Sequence, residues 1–335
     1  HYPLRRQRQM CIRDSLEALG LYVTKYLPDR KNEGYGISIN AIDNAFDKKQ
    51  KLIIALDCGI KAHKQVDYAK EKGIEFIICD HHNPDIKIPN ALAVLNPKRK
   101  DCTYPYKELC GCGVGFKLVQ AIESLQSKDN QIINYLDLVA LAIAADVVPL
   151  TGENRVLAFI GLQIINSNPK LGIHCLLKKN IKKEYTISDL MYYVGPRINA
   201  AGRIKHASLA LELLMCNEIN SAEKLALEIE DLNTSRREIE KDIANQAIDQ
   251  VENSSNKLNS IVVFDSDWNK GVIGIVASRL VDKYYKPSVV FCESSEGFLT
   301  ASARSIKGID LYSVISQCSE HIDQFGGHKL SLIHI

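Results

Sequence analysis

Residues 76–85, FIICDHHNPD, run four apolar or thiol-bearing residues into Asp80, His81 and His82, and then into the turn-forming pair Asn83-Pro84. A carboxylate beside two imidazoles is a donor set for a divalent cation. Two more carboxylates close apolar runs: Asp57 after KLIIAL (51–56) and Asp146 after LAIAA (141–145). Mixed Asp and His ligands suit Mn2+, Mg2+ or Zn2+ better than a thiolate site would. Two such ions about 4 Å apart can clamp the attacking and leaving oxygens of a phosphoryl displacement. That arrangement needs one bridging carboxylate and further carboxylates to balance four positive charges. The chemistry within reach is therefore phosphoester hydrolysis. The spacing leaves a plainer reading open, because an Asp after a strand is a common helix N-cap and His81-His82 can be an exposed turn.

These residues need a scaffold that brings them together. Residues 51–60 read as a strand ending in Asp57-Cys58-Gly59, and 62–73 as a helix with Ala62, Val66 and Ala69 on one face and Gly73 as its stop. Residues 74–79 are the next strand. Such a strand–helix–strand unit makes the two strands parallel, so Asp57 and Asp80 share one carboxyl edge, where open α/β sheets bind ligands. Residues 91–97 predict a further strand, and helices are expected near 113–126 and 131–144. The second of these is almost wholly apolar, hence buried, and delivers Asp146 just beyond its end. The segment GCGVG (111–115) lacks the Gly pattern and the Lys-Ser/Thr of a phosphate loop and reads as a turn at a helix start. Residues 217–255 predict one or two long helices with a thin apolar stripe (Leu225, Ile229, Leu232, Ile239, Ile243, Ile248), which suits a bridge between domains. A new α/β pattern starts at 261–267. Strands alternating with helices set the class as α/β.

Composition bounds the alternatives. At 335 residues, two domains are expected. The chain is 46% hydrophobic and 24% charged, enough to build real cores. No window approaches the roughly 18 apolar residues of a membrane span, so no membrane partner is expected. A net charge of +2 neither demands nor excludes a nucleic acid. The ten cysteines lack paired zinc spacing, since Cys102, Cys110 and Cys112 form no Cys-x-x-Cys pair. They fit reduced thiols in a cytoplasmic protein.

The segments ALDCG, CDHH and AIAADVVPL resemble the second, third and fourth motifs of the DHH phosphoesterases. GPRINAAGRI (195–204), WNKGVIGIVASRL (268–280), SARS (302–305) and FGGH (325–328) narrow the resemblance to the RecJ family of single-strand-specific 5′→3′ exonucleases, from about residue 16 to 328. The resemblance implies a parallel-sheet DHH catalytic domain joined by a long helix to a smaller α/β DHHA1 domain. It implies metal ligation by Asp57, His81 and Asp146, with Asp57 bridging two Mn2+ or Mg2+ ions. His82 would lie against the substrate phosphate, and Asp80 would orient the imidazole. Arg197 and Asn199 would line the path of the scissile phosphate, with Arg203 in the same segment. Ser302, Arg304, Ser305, Gly326, Gly327 and His328 would hold nucleic-acid phosphates. Single-stranded DNA would be the substrate, in recombination and repair, with a single-strand-binding protein and a helicase as partners.

One family feature is missing: no Asp-x-Asp precedes Asp57. In the family such a run supplies much of one metal's shell. Asp57, His81 and Asp146 hold one ion comfortably and not two, so this polypeptide is expected to be a fragment, binding one ion or none and with little or no activity. Residues 1–15 are expected to be a leader foreign to the fold and 329–335 a foreign tail. Between them are expected a DHH domain (16–215), a connecting helix (216–255) and a truncated DHHA1 domain (256–328). Two rival readings stand beside the exonuclease. One is a non-catalytic single-strand-binding scaffold of the same family. The other is a small-substrate DHH phosphoesterase acting on oligonucleotides or cyclic dinucleotides.

Overall fold

A computed structural model describes residues 16–17, 20–28, 33, 36–125, 131–206, 208–254, 259–293, 297–322, 326–328 and 331–333. Residues 1–15, the expected leader, lie outside the described residues. The chain divides into two compact units, His1–Glu230 and Asp231–Ile335.

Among the described residues the first unit is built on three parallel strands in the order β1 (Leu52–Leu56), β2 (Glu75–Cys79), β3 (Ala93–Leu95). The connection from β1 to β2 is helix α2 (His63–Glu71), as the sequence predicts; α1 (Ile39–Asp47) precedes them. The period-2 alternation of strand side chains divides the apolar residues between two layers. Ala55, Phe76 and Ile78 pack with Ile42 and Ala45 of α1 and Val66 and Ala69 of α2. Leu56 and Cys79 join a second core built from α3 (Gly111–Leu125), α4 (Leu136–Asp146) and α5 (Gly152–Ser167). Each fully buried Phe, Ile or Leu here contributes about 1.5–3 kcal/mol relative to exposure. The sheet is thus covered on both faces, as parallel sheets are, and its functional surface is the carboxyl rim. Next to edge strand β1 a cavity of about 380 Å³ is lined by Leu21, Val23, Leu27, Ile37 and Ile53.

The turn expected at a helix start is the helix start itself: Gly111–Gly115 are the first five residues of α3, all buried, so that helix begins two residues ahead of the expected 113. One expectation is corrected. Residues 131–144 do not form one helix. Gln131–Tyr135 is 3-10 and the α-helix spans Leu136–Asp146, so Asp146 is its last residue and not a residue beyond it. The β-branched pair Ile132-Ile133 followed by Asn134 is poor α-helical sequence, whereas the Leu/Ala run after it is good. Helices α6 (Leu171–Leu177), α7 (Gly195–Ile204) and α8 (Ser208–Met215) also belong to this unit.

Helix α9 (Ile219–Glu252) is a single element of 34 residues that crosses the division between the units. In the second unit its later turns present Ile243, Ala244 and Ala247 to a core shared with α10 (Ile273–Tyr284), β4 (Ile261–Phe264) and β5 (Ser288–Glu293). The sheet there is mixed. β4 and β5 are parallel, while β6 (Leu299–Arg304), β7 (Gly326–His328) and β8 (Ser331–Ile333) add antiparallel pairs in the order β4-β5-β6-β8-β7. Helix α11 (Leu311–Ser316) packs Leu311 against Ala303. The side chain of Gln250 acts as a strand neighbour for edge strand β4. Its Nε2 donates to the Phe264 carbonyl at 2.9 Å, and its Oε1 accepts from the Phe264 N–H at 3.3 Å.

Candidate metal centre and nucleic-acid contacts

Strand register sets the site. Leu56 pairs with Cys79 across β1 and β2, so Asp57 and Asp80 stand side by side, each one residue past its strand. The Asp57 N–H donates to the Cys79 carbonyl at 2.7 Å, and the chain then turns sharply. Asp57 has φ 63° and Gly59 φ 106°. Asp tolerates the left-handed region because its short polar side chain bonds locally; a bulkier residue would not. Gly59 is required on two counts. Its φ is unfavourable for any side chain, and an added Cβ would sit 3.1 Å from Ile37 Cδ1 and 3.3 Å from Ile78 Cγ2. The turn leaves the Asp57 side chain almost fully buried at the rim.

Asp80, equally buried, organises the loop that follows it. Its Oδ1 accepts from the backbone N–H of His81 at 2.8 Å and of His82 at 3.2 Å, and lies 2.6 Å from His82 Nδ1. Its Oδ2 accepts from the Ile60 N–H at 3.0 Å, tying the loop to the turn after β1. Burial alone would raise this carboxyl's pKa. The hydrogen bond and charge of His82, with the N–H groups of Ile60 and His82, outweigh it and hold Asp80 well below the usual carboxylate range. An ionised Asp80 can only accept, so His82 carries its proton on Nδ1 and Nε2 is the atom turned to other partners.

The consequence is a division of labour between the two histidines. His82 leans on Asp80, while His81 Nε2 lies 3.1 Å from Asp57 Oδ1. The rings meet edge to face with centroids 4.6 Å apart. Asp57, His81 and His82 each bring a ligand atom within 4.8 Å of the others, the one such group among the described residues. One carboxylate and two imidazole nitrogens fit a first-row divalent cation. Asp146 lies outside that triad. It is buried at the C-terminal end of α4, where Val147 takes φ 53° and ends the helix.

The GPRINAAGRI segment forms α7, entered through a π-helical turn at Leu190–Val194. Arg197 is buried. Its Nε pairs with Glu230 and its Nη1 donates to the Tyr193 carbonyl at 2.6 Å. This guanidinium therefore joins α7 to α9 within the first unit. Asn199 is half-buried, and its buried Oδ1 has no hydrogen-bond partner among the described residues. Arg203 is half-buried in the last turn of α7.

In the second unit Ser302 and Arg304 alternate along β6 and so share a face. Arg304 Nη1 donates to the Ala303 carbonyl at 2.9 Å and to Ser302 Oγ at 3.3 Å. Gly274 in the first turn of α10 approaches both closely: a Cβ there would lie 2.8 Å from Ser302 Oγ and 3.3 Å from Arg304 Nη2. The Arg304 guanidinium and the positive end of the α10 dipole thus occupy one corner. Ser305 instead donates its hydroxyl to the Ile309 carbonyl at 3.1 Å. Gly326, Gly327 and His328 are strand β7, in the same sheet as Ser302 and Arg304 but separated from β6 by β8. Sequence reasoning gave no part to Gly274, to the Ile60 N–H or to the end of β3. Nothing in periodicity marks them, because each acts through a contact distant in sequence.

Residues 8–143 match the model of the DHH family, N-terminal domain, and residues 237–331 that of the DHHA1 domain. The single-stranded-DNA-specific exonuclease RecJ of Bacillus subtilis is 39% identical over 320 residues, spanning 95% of this chain and 40% of the relative. RecJ of Haemophilus influenzae is 38% identical over 339 residues, spanning 95% of this chain and 59% of the relative. A crystal structure of exonuclease RecJ bound to manganese superimposes with a TM-score of 0.83 at 28% identity, covering 99% of this chain and 82% of that one. RecJ from Thermus thermophilus in complex with Mn2+ gives 0.84 at 26% identity, covering 99% and 48%. The chain spans 40% and 59% of the lengths of the two curated relatives. Its strand-end carboxylates, its paired histidines and the order of its two units are those of a polypeptide that carries a DHH family N-terminal domain followed by a DHHA1 domain and resembles the RecJ exonucleases along nearly all of its length.

Proposed function

We propose that this chain is the catalytic body of a metal-dependent exonuclease that hydrolyses single-stranded DNA from the 5′ end in recombination and repair, in the cytoplasm. The observation that carries this reading is the Asp57–His81–His82 triad at the carboxyl rim of a parallel sheet, in a chain similar to proteins named for that activity. Asp57 and His81, with Asp146 at the end of α4, would hold a Mn2+ or Mg2+ ion. When bound, the ion supplies positive charge against the charge that builds on a phosphoryl group in transfer. Asp80 fixes the His82 ring. With Nδ1 committed to Asp80, His82 turns Nε2 toward a phosphate oxygen. Arg197, Asn199 and Arg203 contribute to the phosphate path. Ser302, Arg304, Ser305 and β7 hold the strand through backbone and guanidinium contacts, which read phosphate and not base. A single-strand-binding protein and a helicase are proposed partners.

The test is degradation of 5′-phosphorylated single strands and of duplex of equal length, with Mn2+, by the chain and by its Asp57→Ala and His81→Ala variants. Turnover of single strands well below that of an intact RecJ relative, and abolished by either substitution, supports the reading. Activity unchanged in both variants, or duplex cut as readily as single strands, overturns it.

A further inference from the structure

The carboxyl rim has a third position. Leu56, Cys79 and Leu95 are in register across β1, β2 and β3. The residues just beyond them are Asp57, Asp80 and Asn96. The first two are in the site described above, and the third was assigned nothing. Asn96 is almost fully buried. Its Nδ2 donates to the His82 carbonyl at 2.8 Å, and its Oδ1 accepts from the Lys98 N–H at 2.8 Å. The Asp80 N–H donates to the Leu95 carbonyl at 3.0 Å, so the loop is tied to β3 on both sides of His81.

Resting on the proposed function, we propose that Asn96 is a positioning residue for His82, the second half of a clamp whose first half is Asp80. Asp80 holds the ring and the N–H of His82; Asn96 holds its carbonyl. A peptide gripped at N–H, ring and carbonyl has few directions left for Nε2. Both ends of the Asn96 amide are used, so its orientation is dictated: turned over, Nδ2 would face the Lys98 N–H and Oδ1 the His82 carbonyl, like against like. No other side chain of this size supplies a donor and an acceptor in that relation. An Asp in its place would still accept from Lys98 but would set a carboxylate oxygen against the His82 carbonyl.

The experiment compares wild type with Asn96→Ala and Asn96→Asp by amide hydrogen exchange and by Mn2+-supported cleavage of single strands. The N–H groups of His81 and His82, both accepted by Asp80, should exchange at least tenfold faster in the variants, while the β2 amides of Phe76 and Ile78 keep their protection. Cleavage should fall at least tenfold in kcat with KM for the strand within twofold. Asn96→Ser, whose hydroxyl can donate to the His82 carbonyl, should recover part of the protection, and it serves in place of Asn96→Ala if that variant does not fold. Unchanged exchange at His81 and His82, or a loss spread evenly over β2, overturns the proposal. Exchange needs no turnover, so where activity is too low to measure the clamp is judged by protection alone, and the exonuclease reading by its own test.

Discussion

Asp80 Oδ1 lies 2.6 Å from His82 Nδ1, and the same oxygen accepts the backbone N–H of His82 at 3.2 Å. The Asp80–His82 pair is therefore a closed ring of contacts within three consecutive residues, set at the mouth of a buried strand. The carboxyl belongs to the fold as much as to the chemistry.

That arrangement fixes a pH dependence. The Asp80 carboxyl is depressed in the folded chain, so the unfolded chain takes up the proton first as pH falls. The stability from Asp80 is fully present above the ordinary carboxyl value of about 3.9 and is lost as pH falls through the folded value. Asp80→Asn should cost about 2 kcal/mol at pH 7, since it replaces charge-assisted hydrogen bonds with neutral ones. The gap to wild type should narrow below about pH 4. Urea unfolding from pH 7 to 3 checks this; a gap that stays constant rules it out.

Gly59→Ala is expected to destabilise the first unit by about 1–2 kcal/mol, from positive φ and from contact with Ile37 and Ile78. The same strain would be felt next to Asp57, so weakened Mn2+ binding should accompany the lower melting temperature. Thermal melts with and without Mn2+ separate the two effects, because the stabilisation given by the ion should shrink as well.

In the second unit Glu240 is buried and accepts from Arg236 Nη1 at 2.6 Å and Arg279 Nε at 2.7 Å. It joins α9 to α10. Glu240→Ala leaves the largely buried Arg236 without its carboxylate and should cost about 3 kcal/mol. Arg279→Ala removes a half-exposed partner and should cost about 1 kcal/mol or less. Equal losses in the two variants, measured by denaturant midpoints, would contradict this ranking.

Cys79 and Cys318 should differ sharply in reactivity. Burial pushes the Cys79 thiol up to about 12, so it carries almost no thiolate at pH 8, and its side chain is inside the core. Cys318 is exposed. Timed alkylation at pH 8 followed by peptide mass mapping should label Cys318 in the native chain and Cys79 only after unfolding. Early labelling of Cys79 would show that the β1–β2 core opens.

Much of the first unit was legible because its signals are local. KLIIALDCGI and IEFIIC carry strand-length apolar runs on either side of a helix-period segment, and the parallel pairing and common rim of Asp57 and Asp80 follow from that order. The long helix over 219–252 was legible for the same reason, as a charged segment with a thin apolar stripe. GCGVG marked the start of α3, but nothing local showed that its glycines are the buried first residues of that helix. Arg197 and Glu230 are 33 residues apart, and no periodicity announces such a pair.

Hydrophobic period and chain connectivity act over short stretches, so the α/β alternation, the strand ends and the kinds of ligand gathered there could be read from the residues. Which histidine leans on which carboxylate, that Asp146 lies outside the tightest triad, and that Asn96 joins the rim came from the folded chain alone. Those outcomes depend on strand register and on hydrogen bonds between residues far apart in the chain, where a shift of one position would exchange every partner.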